Sequence, residues 1–317
     1  LNHLPTVSVI IACRNEGEYI HSCLYSVVNQ SYPLTEIIVI DGCSTDDTWG
    51  TCDYYRKHYG IRLLSNPKRI TPISWNIGIK SSTGDLVMIL GAHSTYPQNY
   101  IEDHVHWSQK TGAANVGGLI TFIPRTNGLL AEAFTVCKSD KFGTGKSDFR
   151  LPQNDNTPIP VETVFGGCYR RDAFSKTGYF NEQLQYSSDL EFNLRLKSAG
   201  LDILLIPSIT SSYFTRSTLF SFLRNAYKDG KWVVLPFKYS NYWPLLGWRL
   251  VPALFALFLP FTMIPYFILS FYRALKVAVS KRDIRFLPVM MFVFFVFHLS
   301  YGTGSLSALF QLLGNRS

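Results

Sequence analysis

The 317-residue chain is long enough for one large α/β domain with an appendage. A net charge of +8 would suit a nucleic-acid binder, but residues 216–285 carry eleven Lys/Arg against two Asp/Glu, whereas residues 1–215 carry eighteen against twenty. The distribution argues against a nucleic-acid partner and points the basic segment toward an anionic membrane surface.

"VSVII" (7–11) is a β-branched run that stops at the polar "CRNEGEYI"; Leu24, Val27 and Val28 then recur at helical spacing. "TEIIVID" (35–41) predicts a second strand ending on Asp41, with a turn and a helix after it. "IRLLSN" (61–66) predicts a third strand, "PISWNIGIKSS" a helix and "DLVMIL" (85–90) a fourth strand. This alternation predicts a parallel sheet whose ligands gather beyond the strands' carboxyl ends, where Asn15, Asp41 and His93 fall. No GxGxxG follows the first strand, which disfavours a dinucleotide fold. Residues 112–172 read as less regular, with Gly-rich turns; a helix is expected over roughly 186–199 and a strand at "LDILLIPS".

Beyond about residue 216 the character changes. "RNAYKDGKWVVLP" (224–236) reads as an amphipathic interfacial segment. Residues 250–272 and 286–315 contain no charge, and each exceeds the roughly 20 residues a membrane helix needs. The intervening "RALKVAVSKRDIR" carries five basic residues and one acid. Two crossings would put that loop outside a cytoplasm-facing domain, against positive-inside bias, and prolines 252, 260 and 265 interrupt the first segment. A bent or re-entrant hairpin, or one lying partly in the interface, is expected. The six cysteines (13, 23, 43, 52, 137, 168) lack metal spacing and are expected to be reduced core residues of a cytosol-facing domain. The first apolar run is strand-sized, so no secretory leader is expected.

Several residues carry candidate chemistry. Asp41 suits either a base or ribose contact or plain turn chemistry, with Asp46 a weaker associate. His93 suits either a capping or core role or a divalent ion that bridges a diphosphate, with Gly91 and Ala92 allowing close approach. Asp189 and Glu191, two apart on a helix, cannot both face one site. Asp189, at the helix start, is the better aimed, as a general base or as an acid stabilised by the helix dipole; Glu182 is a weaker candidate. Lys146, Arg150, Arg170 and Arg171 are candidate phosphate cations or solvated surface. His298 is a candidate helix-packing residue. There is no nucleophile elbow or HExxH, which weakens a hydrolase reading.

These stretches together resemble the inverting family 2 glycosyltransferases of A-type fold, in particular the membrane-attached glucosyltransferases of succinoglycan-type exopolysaccharide synthesis. "VSVIIACRNEGEYIHSCLYSVVNQSYP" is similar to the family's opening strand and helix, and "EIIVIDGCSTDDT" to its nucleotide-contact strand. "NPKRITPISWNIGIKSSTGDLVMILGAH" resembles the approach to the metal-binding Asp-x-Asp, with Gly91 at the first position and His93 at the last. In "ETVFGGCYRRDAFSKTGYFNEQLQYSSDLEFNLRLKSAG", Asp189 matches the general base, and Ser188 stands where a Glu usually precedes it. The resemblance implies an α/β fold with a mainly parallel central sheet followed by C-terminal membrane-associated helices. It implies a nucleotide-sugar donor held by Arg14, Asn15, Glu16, Asp41, Arg69, Gly91, Arg171 and Trp232, a Mg or Mn ion at His93, and Asp189 as base. "RNAYKDGKW" matches the processive Gln-x-x-Arg-Trp signature only loosely, so transfer of one sugar is expected.

The expected organisation is a catalytic domain at 1–215, a basic aromatic segment at 216–245 and a membrane-associated region at 246–317. The expected activity moves one hexose, inverting its configuration, from a UDP-type donor to a lipid-linked saccharide acceptor at the cytoplasmic face of the cell membrane. The alternative is a non-catalytic or metal-independent membrane scaffold that keeps the fold.

Overall fold

A computed structural model describes residues 4–145, 147–153, 155–215, 218–238 and 250–314. The chain divides into two compact units, Leu1–Thr121 with Leu151–Tyr213, and Phe122–Arg150 with Phe214–Ser317. The expected boundary at 215 therefore has an excursion: residues 122–150 belong with the C-terminal helices rather than with the catalytic segment.

The first unit opens with β1 (Val7–Cys13), α1 (Ile20–Val28), β2 (Glu36–Asp41), α2 (Thr48–Tyr59), β3 (Arg62–Ser65), α3 (Thr71–Ser81) and β4 (Leu86–Gly91). After β5 (Ser94–Thr95) and α4 (Tyr100–Thr111), β6 (Asn115–Ile123) runs out to the excursion, which holds α5 (Leu129–Ser139) and α6 (Lys141–Thr144). The chain then gives β7 (Ile159–Pro160), β8 (Phe165–Arg170), α7 (Arg171–Thr177), α8 (Ser188–Ser198) and β9 (Ile203–Phe214). One sheet orders these strands β3-β2-β1-β4-β8-β6-β9-β5, with β7 paired to β9.

The first four strands are parallel, and Val7, Val9, Ile10 and Ile11 are wholly buried, as the unbroken β-branched run requires for a strand covered on both faces. Register aligns Cys13 with Asp41 and Ala12 with Gly91. The chain winds outward from β1 through β2 to β3, then returns to place β4 on the other side of β1. That reversal is a topological switch point, and it opens a crevice beyond β1 and β4.

The stretch read as irregular contains a nine-residue strand and an eleven-residue helix. Gly117 and Gly118 in β6 are both steric requirements. A Cβ at Gly117 would lie 2.4 Å from Val164 Cβ and one at Gly118 2.4 Å from Ile209 O, beside a register break against β8.

The second unit adds α9 (Leu219–Val234), α10 (Val251–Leu257), α11 (Leu259–Lys281) and α12 (Phe286–Gly314). Of the expected interfacial segment, residues 216, 217 and 239–245 lie outside the described residues. Its apolar stripe, Phe222, Ala226, Gly230 and Val234, is buried inside the unit. The fit against α12 is close: a Cβ at Gly230 would sit 2.0 Å from Tyr301 O, and one at Gly304 2.1 Å from Tyr227 O. His298 packs as a bridge, its Nδ1 2.8 Å from Tyr266 Oη and its Nε2 2.8 Å from Phe142 O, which joins α12, α11 and α6.

Helices α11 and α12 are both long and apolar enough to cross a membrane by length and composition. They differ in what they present. Phe261, Ile264 and Ile268 in the first half of α11 are strongly exposed, whereas Arg273 pairs with Asp140, and Lys281 with Glu132 at 2.6 Å. The charge-free stretch from Leu259 to Tyr272 makes about 21 Å of helix at about 1.5 Å per residue, short of the roughly 30 Å hydrocarbon core. All six cysteines are free thiols and five are buried, Cys43 being half-buried.

Candidate active site

Beyond the carboxyl ends of β1, β2 and β4, the loops brace one another through side chains. The Asn15 amide donates to Ser44 Oγ at 2.9 Å, and Asn15 Oδ1 accepts from the Thr45 amide at 2.8 Å. Glu16 N donates to Thr48 Oγ1 at 2.8 Å and Gly17 N to Asp46 Oδ2 at 3.0 Å. Asp41, 2% exposed, accepts from Ser44 N at 3.0 Å and from the Ser44 hydroxyl, so its carboxylate shapes the second loop from below.

A cavity of about 490 Å3 opens beside these loops. Of the expected residues, Arg14, Glu16, Arg69, Gly91, His93 and Asp189 line it; Asn15 and Asp41 do not, although Gly42 does. Asn15, Cys43, Arg69 and Ser187 adopt left-handed φ of 54, 55, 59 and 56°. Each belongs to a loop end at or beside the cavity, where backbone strain of about 1–3 kcal/mol per residue is characteristic of functional sites.

His93 Nδ1 lies 3.3 Å from Glu16 Oε1, and its ring meets the edge of Tyr213 with centroids 4.7 Å apart. Tyr213 arrives because β9 pairs antiparallel with β5, opposite Ser94. Gly91 has no room to spare: a Cβ would meet Phe165 Cζ at 3.3 Å, so an aromatic ring crowds the place from which a carboxylate would extend. Among the described residues, no group of three His, Cys, Asp or Glu side chains forms a metal cluster.

Asp189 sits in the first turn of α8, after Ser187 has turned the chain. Glu191 points away, pairing with Arg195 at 2.8 Å and 4% exposed. Ser188 is buried, and Glu182 accepts from Asn76 Nδ2 at 3.0 Å. Burial, and secondarily the Asp189 carboxylate, pushes the Tyr169 phenol up, so it stays protonated beside that carboxylate at neutral pH.

One expectation needs correction. Arg171 does not reach the cavity. Strand β8 runs antiparallel to β4, so its end lies at the amino edge of β4, where the Arg171 guanidinium binds Gly84 O and, at 2.9 Å, Ser82 Oγ. Arg170 is held there too, by Gly112 O and Asp172. Trp232 belongs to the second unit, where it packs against the Leu235 and Ala308 cluster. Lys146 lies outside the described residues, and Arg150 belongs to the second unit. Sequence reasoning passed over Trp75, Phe165, Tyr186 and Tyr213, all of which line the cavity. Trp75 meets the Phe180 ring at a tilt, centroids 4.9 Å apart, within a helix that reads as ordinary core packing.

A Methanococcus voltae protein named dolichyl N-acetyl-alpha-D-glucosaminyl phosphate 3-beta-D-2,3-diacetamido-2,3-dideoxy-beta-D-glucuronosyltransferase is 28% identical over 312 residues, covering 93% of this chain and 95% of its own. Succinoglycan biosynthesis protein ExoA of Rhizobium meliloti (strain 1021) is 27% identical, and the alignment covers 67% of this chain and 64% of that one. The crystal structure of GalNAc-T7 with UDP, GalNAc and Mn2+ shares the fold at 20% identity and a TM-score of 0.53, over 68% of this chain and 45% of its own. Residues 8–178 match Glycosyl transferase family 2, and the chain is a glycosyltransferase belonging to that family.

Proposed function

We propose that this enzyme transfers one hexose-type sugar from a UDP-type donor to a lipid-linked saccharide, inverting the anomeric carbon, in surface or exopolysaccharide assembly. The observation that carries the reading is one cavity at the sheet's switch point, lined by Arg14, Arg69, Glu16 and His93 together with Asp189. The acceptor hydroxyl oxygen forms the new bond to the anomeric carbon, the bond to the diphosphate breaks, and Asp189 takes the proton. One displacement makes a β-glycoside from an α-linked donor. Arg14 and Arg69 offset the departing diphosphate's charge. Asp41 shapes the nucleotide loop, with Asn15 bracing it. The lipid-linked acceptor is supported by the dolichyl-linked acceptor in the archaeal relative's name and by the apolar helices of the second unit.

Glu16 and His93 are the residues that would hold a divalent ion. The Glu16 carboxylate is the hard oxygen donor that Mg or Mn would take, and the His93 imidazole would be a softer second donor. When bound, the ion supplies charge neutralisation to the leaving group. Position 91 adds no ligand.

The decisive assay uses the purified full chain, UDP-hexoses, Mg or Mn, and a polyprenyl-diphosphate-linked saccharide in detergent. One sugar with inverted configuration is expected; a retained configuration or a ladder of added sugars would reject the reading. The catalytic unit is proposed to face the cytoplasm, with α11 and α12 forming a re-entrant hairpin. Ile284, 70% exposed between the two helices, reports on this. Ile284→Cys should react with an impermeant maleimide in inverted vesicles but not from the outside of intact cells, and outside labelling would overturn the hairpin. Five of the native thiols are buried, and the half-buried Cys43 is replaced by Ser in the labelled protein to keep the background low.

A further inference from the structure

The segment between α7 and α8 reaches the cavity through Gln185 and Tyr186, and it is held from two sides. Asn76 on α3, a buried side chain, donates from Nδ2 to Phe180 O at 2.9 Å and to Glu182 Oε1 at 3.0 Å, while its Oδ1 accepts from Phe180 N at 3.0 Å. From α8, Arg195 donates to Tyr179 O at 2.7 Å. Leu184 is wholly buried, and its amide donates to Asn181 O at 3.2 Å to close a turn. A loop fixed in this way presents its next residues with little left to order on binding. Those residues, Gln185 and Tyr186, are both exposed, Tyr186 at 44%. Ser187 then turns the chain, with its left-handed φ of 56°, into the helix that carries Asp189.

The lining residues fall into two chemical sets. Arg14, Glu16, Arg69 and His93 are charged or ionisable and suit a diphosphate and its ion. Trp75, Phe180, Gln185 and Tyr186, from α3 and the α7–α8 segment, offer aromatic rings and an amide without any charge. A phosphate finds no cation in this second set, and an acyl or prenyl chain leaves the amide unused. A pyranose uses both: its C–H face packs on an aromatic ring, and its hydroxyls exchange hydrogen bonds with a group that donates and accepts.

We propose that Tyr186 and Gln185 form the subsite for the acceptor's terminal pyranose, Tyr186 as the platform under the ring and Gln185 as the reader of its hydroxyls. The enzyme then selects its acceptor by the sugar as well as by the lipid. This rests on the saccharide-acceptor reading and deepens it by naming the residues that meet the sugar. Chain order assigns them to the acceptor rather than the donor: the segment leads directly into Asp189, which receives the acceptor's proton, whereas the donor's diphosphate is drawn to Arg14 and Arg69.

The test is sugar binding by the full chain in a zwitterionic detergent, because a maltoside headgroup would compete. Ligand-observed NMR titrates the methyl pyranosides of glucose, galactose, N-acetylglucosamine and glucuronic acid with UDP and Mg present. No transfer takes place, so a failed transfer assay leaves the result standing, and sugar binding without transfer would reject the activity and not the subsite. At least one pyranoside should bind. Tyr186→Ala should weaken it at least about fivefold, Tyr186→Phe, which keeps the ring, should stay within about twofold, and Gln185→Ala should weaken it at least about threefold. The affinity for UDP-glucose and the thermal unfolding should not move, since both side chains are exposed. Binding of none of the four sugars by the original protein would overturn the subsite, as would a smaller loss in Tyr186→Ala. An equal loss of UDP-glucose affinity would give the ring to the donor instead. A loss in Tyr186→Phe as large as in Tyr186→Ala would overturn the platform role, and an unchanged affinity in Gln185→Ala the role of that amide.

Discussion

Asp189→Asn is expected to lower kcat by about 10²–10⁴-fold, the range general-base catalysis contributes, while the donor KM changes by less than about threefold. The substitution is nearly isosteric and keeps a polar group in the first turn of α8, so folding stability should not move. Rival bases are otherwise engaged: Glu191 with Arg195, Glu182 with Asn76, and Ser188 is buried and carries no carboxylate. Among the described residues, Glu16 is the one other carboxylate lining the cavity, and it faces His93. Glu16→Gln should accordingly weaken donor and metal binding and leave the acidic limb of the pH–rate profile in place, whereas Asp189→Asn removes that limb. Retention of more than about a third of kcat by Asp189→Asn, or a loss confined to KM, would sink the base assignment.

What could be read in advance follows the range of the interactions involved. The strand–helix alternation through β4 depends on local patterns: β-branched runs, helical recurrence and polar turns at strand ends. It put Asn15, Asp41 and His93 at one edge, and of these His93 lines the cavity while Asn15 and Asp41 do not; Arg14 and Glu16, which do, came from the family resemblance. Parallel strands share their direction, so residues that end each run gather at one edge without any knowledge of pairing partners. Arg171, put at the donor by the resemblance, lies elsewhere because the strand before it runs antiparallel to β4 and delivers its end to the other edge. Tyr213 and Phe165 were illegible for a related reason. Their approach to His93 and Gly91 depends on pairings between strands far apart in sequence, and an aromatic residue in an apolar run gives no sign of which neighbour it will meet. Nothing local marks the 122–150 excursion as leaving the first unit. The partners of α5 are helices more than eighty residues later in the chain, as the Phe134–Phe222 stack at 4.2 Å shows.

Glu191→Ala should cost about 3 kcal/mol, at the low end for breaking a buried pair, because Arg195 keeps partial access to water and other acceptors. Arg195 grips both oxygens of Glu191, at 2.8 and 3.0 Å, and also donates to Thr177 O and, at 2.7 Å, to Tyr179 O. One guanidinium therefore ties α8 to the turn that follows α7. Phe192, wholly buried, meets the Phe180 ring at 4.6 Å and that of Phe174 at 5.2 Å on the same side. With Glu191 gone, the charge of Arg195 loses its buried counterpart, and Asp189, two residues earlier in the same helix, loses a fixed mount. Thermal unfolding in detergent should shift down by roughly 6–12 °C, at about 2–4 °C per kcal/mol for a unit of this size. The rate constant kcat should fall as well, because a base misplaced by about 1 Å forfeits much of its effect. Glu191→Gln, which keeps one acceptor oxygen, should give a smaller shift in both. An unchanged melting temperature in Glu191→Ala would mean that Phe192 and its aromatic neighbours hold α8 unaided, and the pair would then set neither the stability of the unit nor the aim of Asp189.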